Sequence, residues 1–477
     1  MNNFEVIIGI ENHVELKTKS KMFAPAPVSF GQTPNTMVSE TDLGYPGALP
    51  QVNKEGVRLA ILAVNALNMK IDTLLRFDRK NYFYPDLAKG YQITQQFFPI
   101  GSEGTLEIQL DDGTKKIVEI ERLHIEEDTA QQKHGDVTTS IDYNRSGIGL
   151  VEIVTKPVLR SAEEAVKYVE KLRETLLFLG VSDVKMNEGS LRCDVNVSLR
   201  PYGTQKFSNK VEVKNLNSLA NVRKAVEFEI KRQEALMVQG KEVEQETRRF
   251  DETKQETVSM RSKSDALDYR YFTDPNIAPI QLDEKWVYEV IANSPELADK
   301  KRVRYAELGL AKDIINVLLS SLDLTNFFEQ TIKLTKDAVK VANYLTDEVM
   351  SELNKENKTI NQIALTPANL AQMVNLIDDG TISTKHAKTV LPIIMESDKE
   401  TPKEIVERLN LKLINDPKKI DELLTPIFEK NEKLIEQYDE RPERVTKALM
   451  GQLMKDTQGN VNPDLAMSII VKKIKTK

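Results

Sequence analysis

The sequence predicts an α+β protein, with an N-terminal part built on antiparallel sheet and a helical remainder. Glycine gives the first indication: only Gly309, Gly380, Gly451 and Gly459 follow residue 240, so 16 of the 20 glycines belong to a turn-rich first half. Alternation gives the second. "SLRCDVNVSLR" (190–200) sets Leu191, Cys193, Val195, Val197 and Leu199 against Arg192, Asp194, Asn196, Ser198 and Arg200, the pattern of a strand with one buried face. The third is proline placement. Ser294-Pro295, Thr366-Pro367, Thr401-Pro402, Asp416-Pro417 and Asn462-Pro463 each put a capping residue before a proline suited to the first helical turn.

The elements follow in chain order. "MNNFEVIIGIE" lacks the basic region and long apolar core of a signal peptide, so a soluble cytoplasmic protein is expected. As a strand, "GIENHVEL" (9–16) places Glu11, His13 and Glu15 on one face. Residues 22–39 are uncharged, yet Pro25, Pro27 and Pro34 make them a loop rather than a membrane span. Helices are expected near 55–69, 161–179 and 218–238, where apolar residues recur at three and four. "TLEIQLDDGTKKIVEIERLHIEED" reads as a hairpin turning at Asp112-Gly113, and its end projects His124, Glu126 and Asp128 from one face. "VEIVT" (151–155) and "KVEVKN" (210–215) read as strands. From about 295 helices dominate; in "TPANLAQMVNLIDDGTIS", Leu370, Met373 and Leu376 form a stripe and Gly380 a stop.

Composition narrows the function. A length of 477 residues allows two or three domains, and 40% hydrophobic with 29% charged residues is globular. A net charge of -7 disfavours a nonspecific nucleic-acid coat but permits a local basic patch. The single cysteine, Cys193, excludes an intrachain disulfide and reads as a buried, inert thiol. His134 and His386 read as surface residues. The chain has no G-x-x-x-x-G-K-[ST] loop, no G-x-G-x-x-G fingerprint and no G-x-S-x-G elbow.

Chemistry concentrates on the strands. Glu152 interrupts the apolar run "GLVEIVT", and a carboxylate there must be paired, protonated or bound to a cation. Strand faces that collect Glu, His and Asp can hold Mg²⁺ with nucleotide phosphates, while "DRKNYFYPD" (78–86) offers Arg79 and Lys80 for phosphate and Tyr82 and Tyr84 for stacking. Spacing alone leaves two readings open, a solvated sheet face or a metal-dependent site with a helical appendage.

The stretches "GIENHVELKTKSKMF", "DLGYPGALPQVN", "FDRKNYFYPDLAKGYQITQ", "LHIEEDTA", "DVKMNEGSLRCDVNVSLRP", "VEVKNLNS", "QETRRFDE", "DYRYFTDPNIAPI", "DDGTISTKHAK" and "LMGQLMKDTQGNVNPD" together resemble the B-subunit family of aspartyl/glutamyl-tRNA amidotransferases. The resemblance runs through essentially the whole chain. Asn12, Ala88, Asp274 and Asn276 depart from the residues usual in that family.

The resemblance implies a glutamine synthetase/guanido kinase-like catalytic cradle over 1–294, a helical domain over 295–405 and a tRNA-binding tail over 406–477. It implies a carbon–nitrogen ligase. ATP with Mg²⁺, or Mn²⁺, would phosphorylate the side-chain carboxylate of Glu-tRNA(Gln) or Asp-tRNA(Asn), and ammonia would then displace phosphate. Glu11, Glu126, Glu152 and Lys80 would be catalytic. His13, Glu126, Glu188 and Asp194 would hold the metal, and Arg79, Lys80, Tyr82 and Arg192 the nucleotide, with Lys80 pairing Glu126 as an ammonia gate. An A-type amidase (glutaminase) partner would hydrolyse glutamine and tunnel ammonia to this chain, and a small C-type partner would wrap the pair. Exposed apolar segments such as "MFAPAPVSF" would serve that interface, and Lys455, Lys472 and Lys473 would grip tRNA.

Overall fold

The computed structural model describes residues 4–135, 137–204, 208–262, 268–457 and 459–475; side chains are described for these except His134, Arg261 and Ser262. The chain forms two compact units, Met1–Ala298 and Asp299–Lys477. In chain order the strands are β1 (Phe4–Glu15), β2 (Lys70–Ile71), β3 (Leu74–Leu75), β4 (Asp78–Asn81), β5 (Tyr91–Thr94), β6 (Gly101–Gln109), β7 (Lys115–Glu127), β8 (Gln131–His134), β9 (Thr139–Asp142), β10 (Gly149–Thr155), β11 (Leu191–Pro201), β12 (Val211–Lys214), β13 (Glu246–Asp251), β14 (Glu256–Ser262), β15 (Phe272–Thr273) and β16 (Ile280–Gln281).

One nine-stranded sheet organises the first unit, in the order β14-β13-β12-β11-β1-β10-β7-β6-β2. Its pairs are antiparallel except β12 with β13, which the helix Leu219–Val238 connects as a crossover. The alternation expected for 190–200 is present in β11, where Leu191, Cys193, Val195, Val197 and Leu199 are all buried. The hairpin expected at Asp112-Gly113 joins β6 to β7, with Gly113 at φ +87°.

Three helices start where a side chain caps them, by Asn53 for Lys54–Ala66, Ser161 for Ala162–Phe178 and Ser218 for Leu219–Val238. They cover the apolar sheet face: Ile8, Ile10 and Val14 of β1 and Ile125, Val151, Ile153 and Val195 share one core with Leu59, Leu172 and Val226. Gly104 permits the close approach of Lys54–Ala66 to β6, because a Cβ there would lie 2.6 Å from the Leu67 carbonyl oxygen. The other face carries the polar residues.

The segment "MFAPAPVSF" corrects an expectation. Met22 and Phe23 are buried in that core, and Phe23 packs edge-on against Phe77 with centroids 5.2 Å apart, so among its large side chains only Phe30 is left exposed.

The second unit is helical among its described residues, apart from an isolated bridge between Ile414 and Val461. Pro367, Pro402, Pro417 and Pro463 open helices, and Gly380, at φ +73°, follows the end of Pro367–Asp378. Pro295 does not. The Ser294 N–H donates to the Ile291 carbonyl and closes the preceding helix, and the next begins at Ala298. His386 is buried rather than superficial, because Nδ1 accepts the Ser383 N–H in a capping box at the start of Thr384–Glu396. Ile420, Leu424, Phe428, Leu449 and Ile470 form a core of their own near the C-terminus. No described helix is long and apolar enough to cross a membrane.

A buried ion pair fixes the loop after β1. The Lys21 ammonium is fully buried, 3.2 Å from Asp42 Oδ2 and 3.4 Å from the Tyr143 carbonyl oxygen. Burial pushes the Lys21 pKa down, and Asp42 opposes that shift. Asp42→Ala strands the ammonium and is expected to cost about 3–5 kcal/mol in urea denaturation. A loss below about 1 kcal/mol would mean that the pair contributes no more than a surface one.

Candidate functional site

The polar face of the sheet is assembled by register. Facing residues on antiparallel strands share a face. Across β1 and β10, His13 faces Glu152; across β10 and β7, Glu152 faces His124; across β1 and β11, His13 faces Arg192 and Glu11 faces Asp194. Glu126 lies two residues beyond His124, on the same side.

The outcome is a compact group of charges. His13 Nε2 lies 3.4 Å from Glu152 Oε2 and 3.7 Å from Glu126 Oε1. His124 approaches the same carboxylates from the other side, 3.3 Å from Glu152 Oε2 and 3.6 Å from Glu126 Oε2. One ligand atom each from His13, Glu126 and Glu152 all lie within 4.8 Å of one another. An imidazole and two carboxylates so converged fit Mn²⁺, and fit Mg²⁺ where water and phosphate oxygens complete the shell. His124 orients both carboxylates from behind.

The electrostatics follow from burial opposed by pairing. Burial alone disfavours imidazolium, yet Glu152 and Glu126 outweigh it: the His13 pKa is raised, and that of His124 reaches about 9. Glu152 is driven well below the carboxylate range, because His124 and His13 outweigh its own burial. Glu11 is raised by burial and then by Glu152, Glu212 and Asp194, and its Oε1 accepts the Asn196 amide at 3.0 Å. Glu15, next along this face, is pushed up to about 7, first by burial and then by Asp128.

A cleft of about 340 Å³ opens over the group, lined by His13, Lys80, Tyr82, Glu126, Arg192, Asp194 and Lys214 among others. Lys80 stands over the Tyr269 ring, 4.9 Å from its centroid. Burial opposes its charge, and Glu126 leads the groups that raise its pKa above the ordinary lysine value.

Several expected roles meet different surroundings. Among the described residues Lys80 makes no ion pair with Glu126; the buried pair nearby is Lys89 with Glu127, at 2.5 Å. Arg79 is drawn off by Asp274, 2.8 Å away and far along the chain, and stacks on Tyr91 at 3.9 Å. Glu188 precedes β11, pairs with Lys185 at 2.9 Å and lines a different cavity. Asp194 lines the cleft but is held by Lys214 at 2.7 Å, and Glu11, Glu188 and Asp194 all lie outside the converged group. Arg192 Nη2 sits 2.8 Å from Asp128. Of the tail lysines, Lys455 and Lys472 are exposed, whereas Lys473 is bound to Asp421 at 2.8 Å and to Thr425.

Sequence reasoning missed Lys214, Asn215 and Asn217, which line the cleft between β12 and the helix capped by Ser218. Asn215 adopts φ +64°, a left-handed conformation that asparagine tolerates best among residues other than glycine. The repeated asparagines of "VKNLNS" were the available signal. His124 was placed on the correct face without a role.

Comparison with known proteins matches residues 6–288 to the GatB/GatE catalytic domain and 326–474 to the GatB domain. The chain belongs to the GatB family. Its relatives span it almost end to end. The B subunit of the aspartyl/glutamyl-tRNA(Asn/Gln) amidotransferase of Mycoplasma mycoides is 65% identical over 475 residues, 99% of each chain. The B subunits of the same name from Mesoplasma florum and Oceanobacillus iheyensis are 63% and 46% identical, each over 100% of both chains. The GatB catalytic-domain match thus covers both the sheet and the converged residues.

The raised Glu15 pKa carries a signed prediction. A carboxyl that titrates at about 7 when folded and near 4.5 when unfolded loses stability as pH rises between those values. Glu15→Gln removes that loss. Its stability relative to wild type is expected to rise from pH 5 to pH 8 in urea denaturation, and a pH-independent difference would show that Glu15 ionises normally.

Proposed function

We propose that this chain is the kinase and transamidase component of a tRNA-dependent amidotransferase. The observation that carries the reading is the convergence of His13, Glu126 and Glu152 at a cleft that His13 and Glu126 line together with the cations Lys80, Arg192 and Lys214. On this reading the nine-stranded sheet is the cradle of a glutamine synthetase/guanido kinase-like domain. The aspartyl/glutamyl-tRNA(Asn/Gln) amidotransferase relatives point to the acceptors, Glu-tRNA(Gln) and Asp-tRNA(Asn).

The chemistry needs two steps. A carboxylate is a poor electrophile because its leaving group would be oxide. Transfer of the γ-phosphoryl group of ATP to that carboxylate gives an acyl phosphate and ADP. Ammonia then attacks the carbonyl carbon, the C–O bond to phosphate breaks, and an amide, inorganic phosphate and a proton are released. A divalent ion held by His13, Glu126 and Glu152 would neutralise the charge that crowds between phosphate oxygens during transfer.

The chain's own residues supply the rest. Lys80, charged and held over Tyr269 and Tyr82, faces anionic oxygens in the cleft. Arg192 can share its guanidinium between Asp128 and an incoming carboxylate. His124 keeps both metal-facing carboxylates oriented. Asp194 and Glu212 position Lys214 at the cleft wall. Ammonia would come from an A-type amidase that hydrolyses glutamine, beside a small C-type partner, in the cytoplasm. Within 406–477, Lys455 and Lys472 present charge suited to the tRNA backbone.

Two outcomes test the reading. In the assembled enzyme, Glu152→Gln is expected to lower conversion of misacylated tRNA by about a hundredfold or more, with glutamine or with ammonium chloride, while glutamine hydrolysis persists; full activity would displace the catalytic centre. Mn²⁺ titration followed by electron paramagnetic resonance should show affinity that rises with pH, because the cation competes with a proton for His13, whose pKa Glu152 and Glu126 raise against burial. Equal affinity in His13→Ala would remove the imidazole from the ligand set.

A further inference from the structure

A second cavity of about 610 Å³ adjoins the cleft, lined by Glu15, Phe30, Gln32, Asn144, Arg145 and Ser190 among others. The two chemical steps give it no role, and its size suits a small organic ligand. The two cavities share a wall. Asp128, buried, is held between Arg192 at 2.8 Å, which lines the cleft, and Arg145 at 3.3 Å, which lines the second cavity. Glu15 lies two residues beyond His13 on the same strand face, about 7 Å by strand rise, a span that an extended acidic side chain can bridge.

Phe30 is the unusual member. Its ring is 79% exposed, yet its loop is firmly tied. The Asn35 N–H donates to Asp142 at 3.0 Å, Asn35 Nδ2 to the Ile141 carbonyl at 3.1 Å, and the Tyr143 N–H to Asn35 Oδ1 at 2.7 Å. Asn144 binds the same loop twice, from Nδ2 to the Thr33 carbonyl at 2.8 Å and at Oδ1 from the Met37 N–H at 2.8 Å. An aromatic ring held in water over a polar cavity is a stacking platform for a base.

The charges select among nucleotides. Lys17 is neutralised by Asp183 at 2.6 Å and Glu188 by Lys185, while Asp142 accepts backbone N–H groups. Arg145 divides its charge between Asp128 and this cavity, and Lys133 is exposed in its lining: enough for one phosphodiester and poor for a triphosphate.

We infer that this cavity receives the 3′-terminal nucleoside of the aminoacylated RNA, its base stacked on Phe30 and its esterified amino acid reaching past Asp128 into the cleft. This deepens the proposed function and rests on it. ATP is bound elsewhere, from the side of Lys80 and Lys214.

The test uses the full assembly with an RNA minihelix that ends in 2-aminopurine riboside and carries glutamate through a 3′-amide. Wild type should quench the 2-aminopurine fluorescence on binding. Phe30→Ala should bind about tenfold or more weakly and without quenching, and Phe30→Tyr should keep both properties. In turnover, Phe30→Ala should raise KM for misacylated RNA and leave KM for ATP unchanged. Wild-type binding and quenching by Phe30→Ala, equal weakening toward ATP and RNA, or release of the partner subunits would each overturn the subsite. If the wild-type assembly fails to amidate natural misacylated RNA, the functional reading itself falls; if it amidates and Phe30→Ala matches it, only the subsite is wrong.

Discussion

The alignment of β11, β1, β10 and β7 is the constraint from which the site follows. Because side chains alternate along a strand, a slip of one residue would turn His13 and Glu152 into the core and bring Asn12 and Ile153 to the cleft. The helices on the other face prevent that slip. Ile10, Val14, Ile125, Val151 and Ile153 are all buried against them, so the apolar packing and the charged cluster are two consequences of one register. Burial of those apolar residues stabilises the alignment, and the alignment holds like charges closer than their own preference would allow.

Charge balance is arranged locally. Each carboxylate that faces the cleft has a cationic neighbour: Glu126 and Glu152 have the two histidines, Asp128 has two arginines, and Asp194 has Lys214. Removal of one partner from such a pair leaves an uncompensated buried charge, which costs more than the pair contributes while intact. The second unit shows the same arrangement at Glu329, held at a pKa of about 2: Arg304, Tyr305 and Lys301 outweigh the effect of its burial.

What could be read in advance was local, and what could not was long-range. The period-two pattern gave β1, β10 and β11 and the correct face for His13, Glu126 and Glu152. Apolar recurrence at three and four gave Ala162–Phe178, and a capping residue before proline gave the start of Pro367–Asp378. Pairing between distant residues left no periodic trace. "DRKNYFYPD" offered Arg79 for phosphate, and nothing in that stretch foretold its partner Asp274, which follows β15, whose Phe272 pairs with Arg79 across the strands. The resemblance grouped Glu188 with Asp194, and a turn separates Glu188 from the strand that carries Asp194. The prolines around Phe23 suggested a surface loop, yet its ring meets Phe77 inside the core. Adjacency along the chain was a poor guide to adjacency in the cleft, and strand register was the better one.

The central position of β1 has a consequence for synthesis. β1 makes all its sheet pairings with β10 and β11, and Glu11 accepts a hydrogen bond from a residue 185 positions later. β1 is synthesised some 185 positions ahead of its β11 partners, an interval on the order of 10–40 s at ordinary elongation rates. During that interval Ile7, Ile8 and Ile10, which lie beyond the residues that β10 pairs, lack their β11 partners. The nascent chain thus presents an apolar strand before it can hide it, and the burden of keeping that strand from foreign partners falls on the cell's chaperones rather than on the fold.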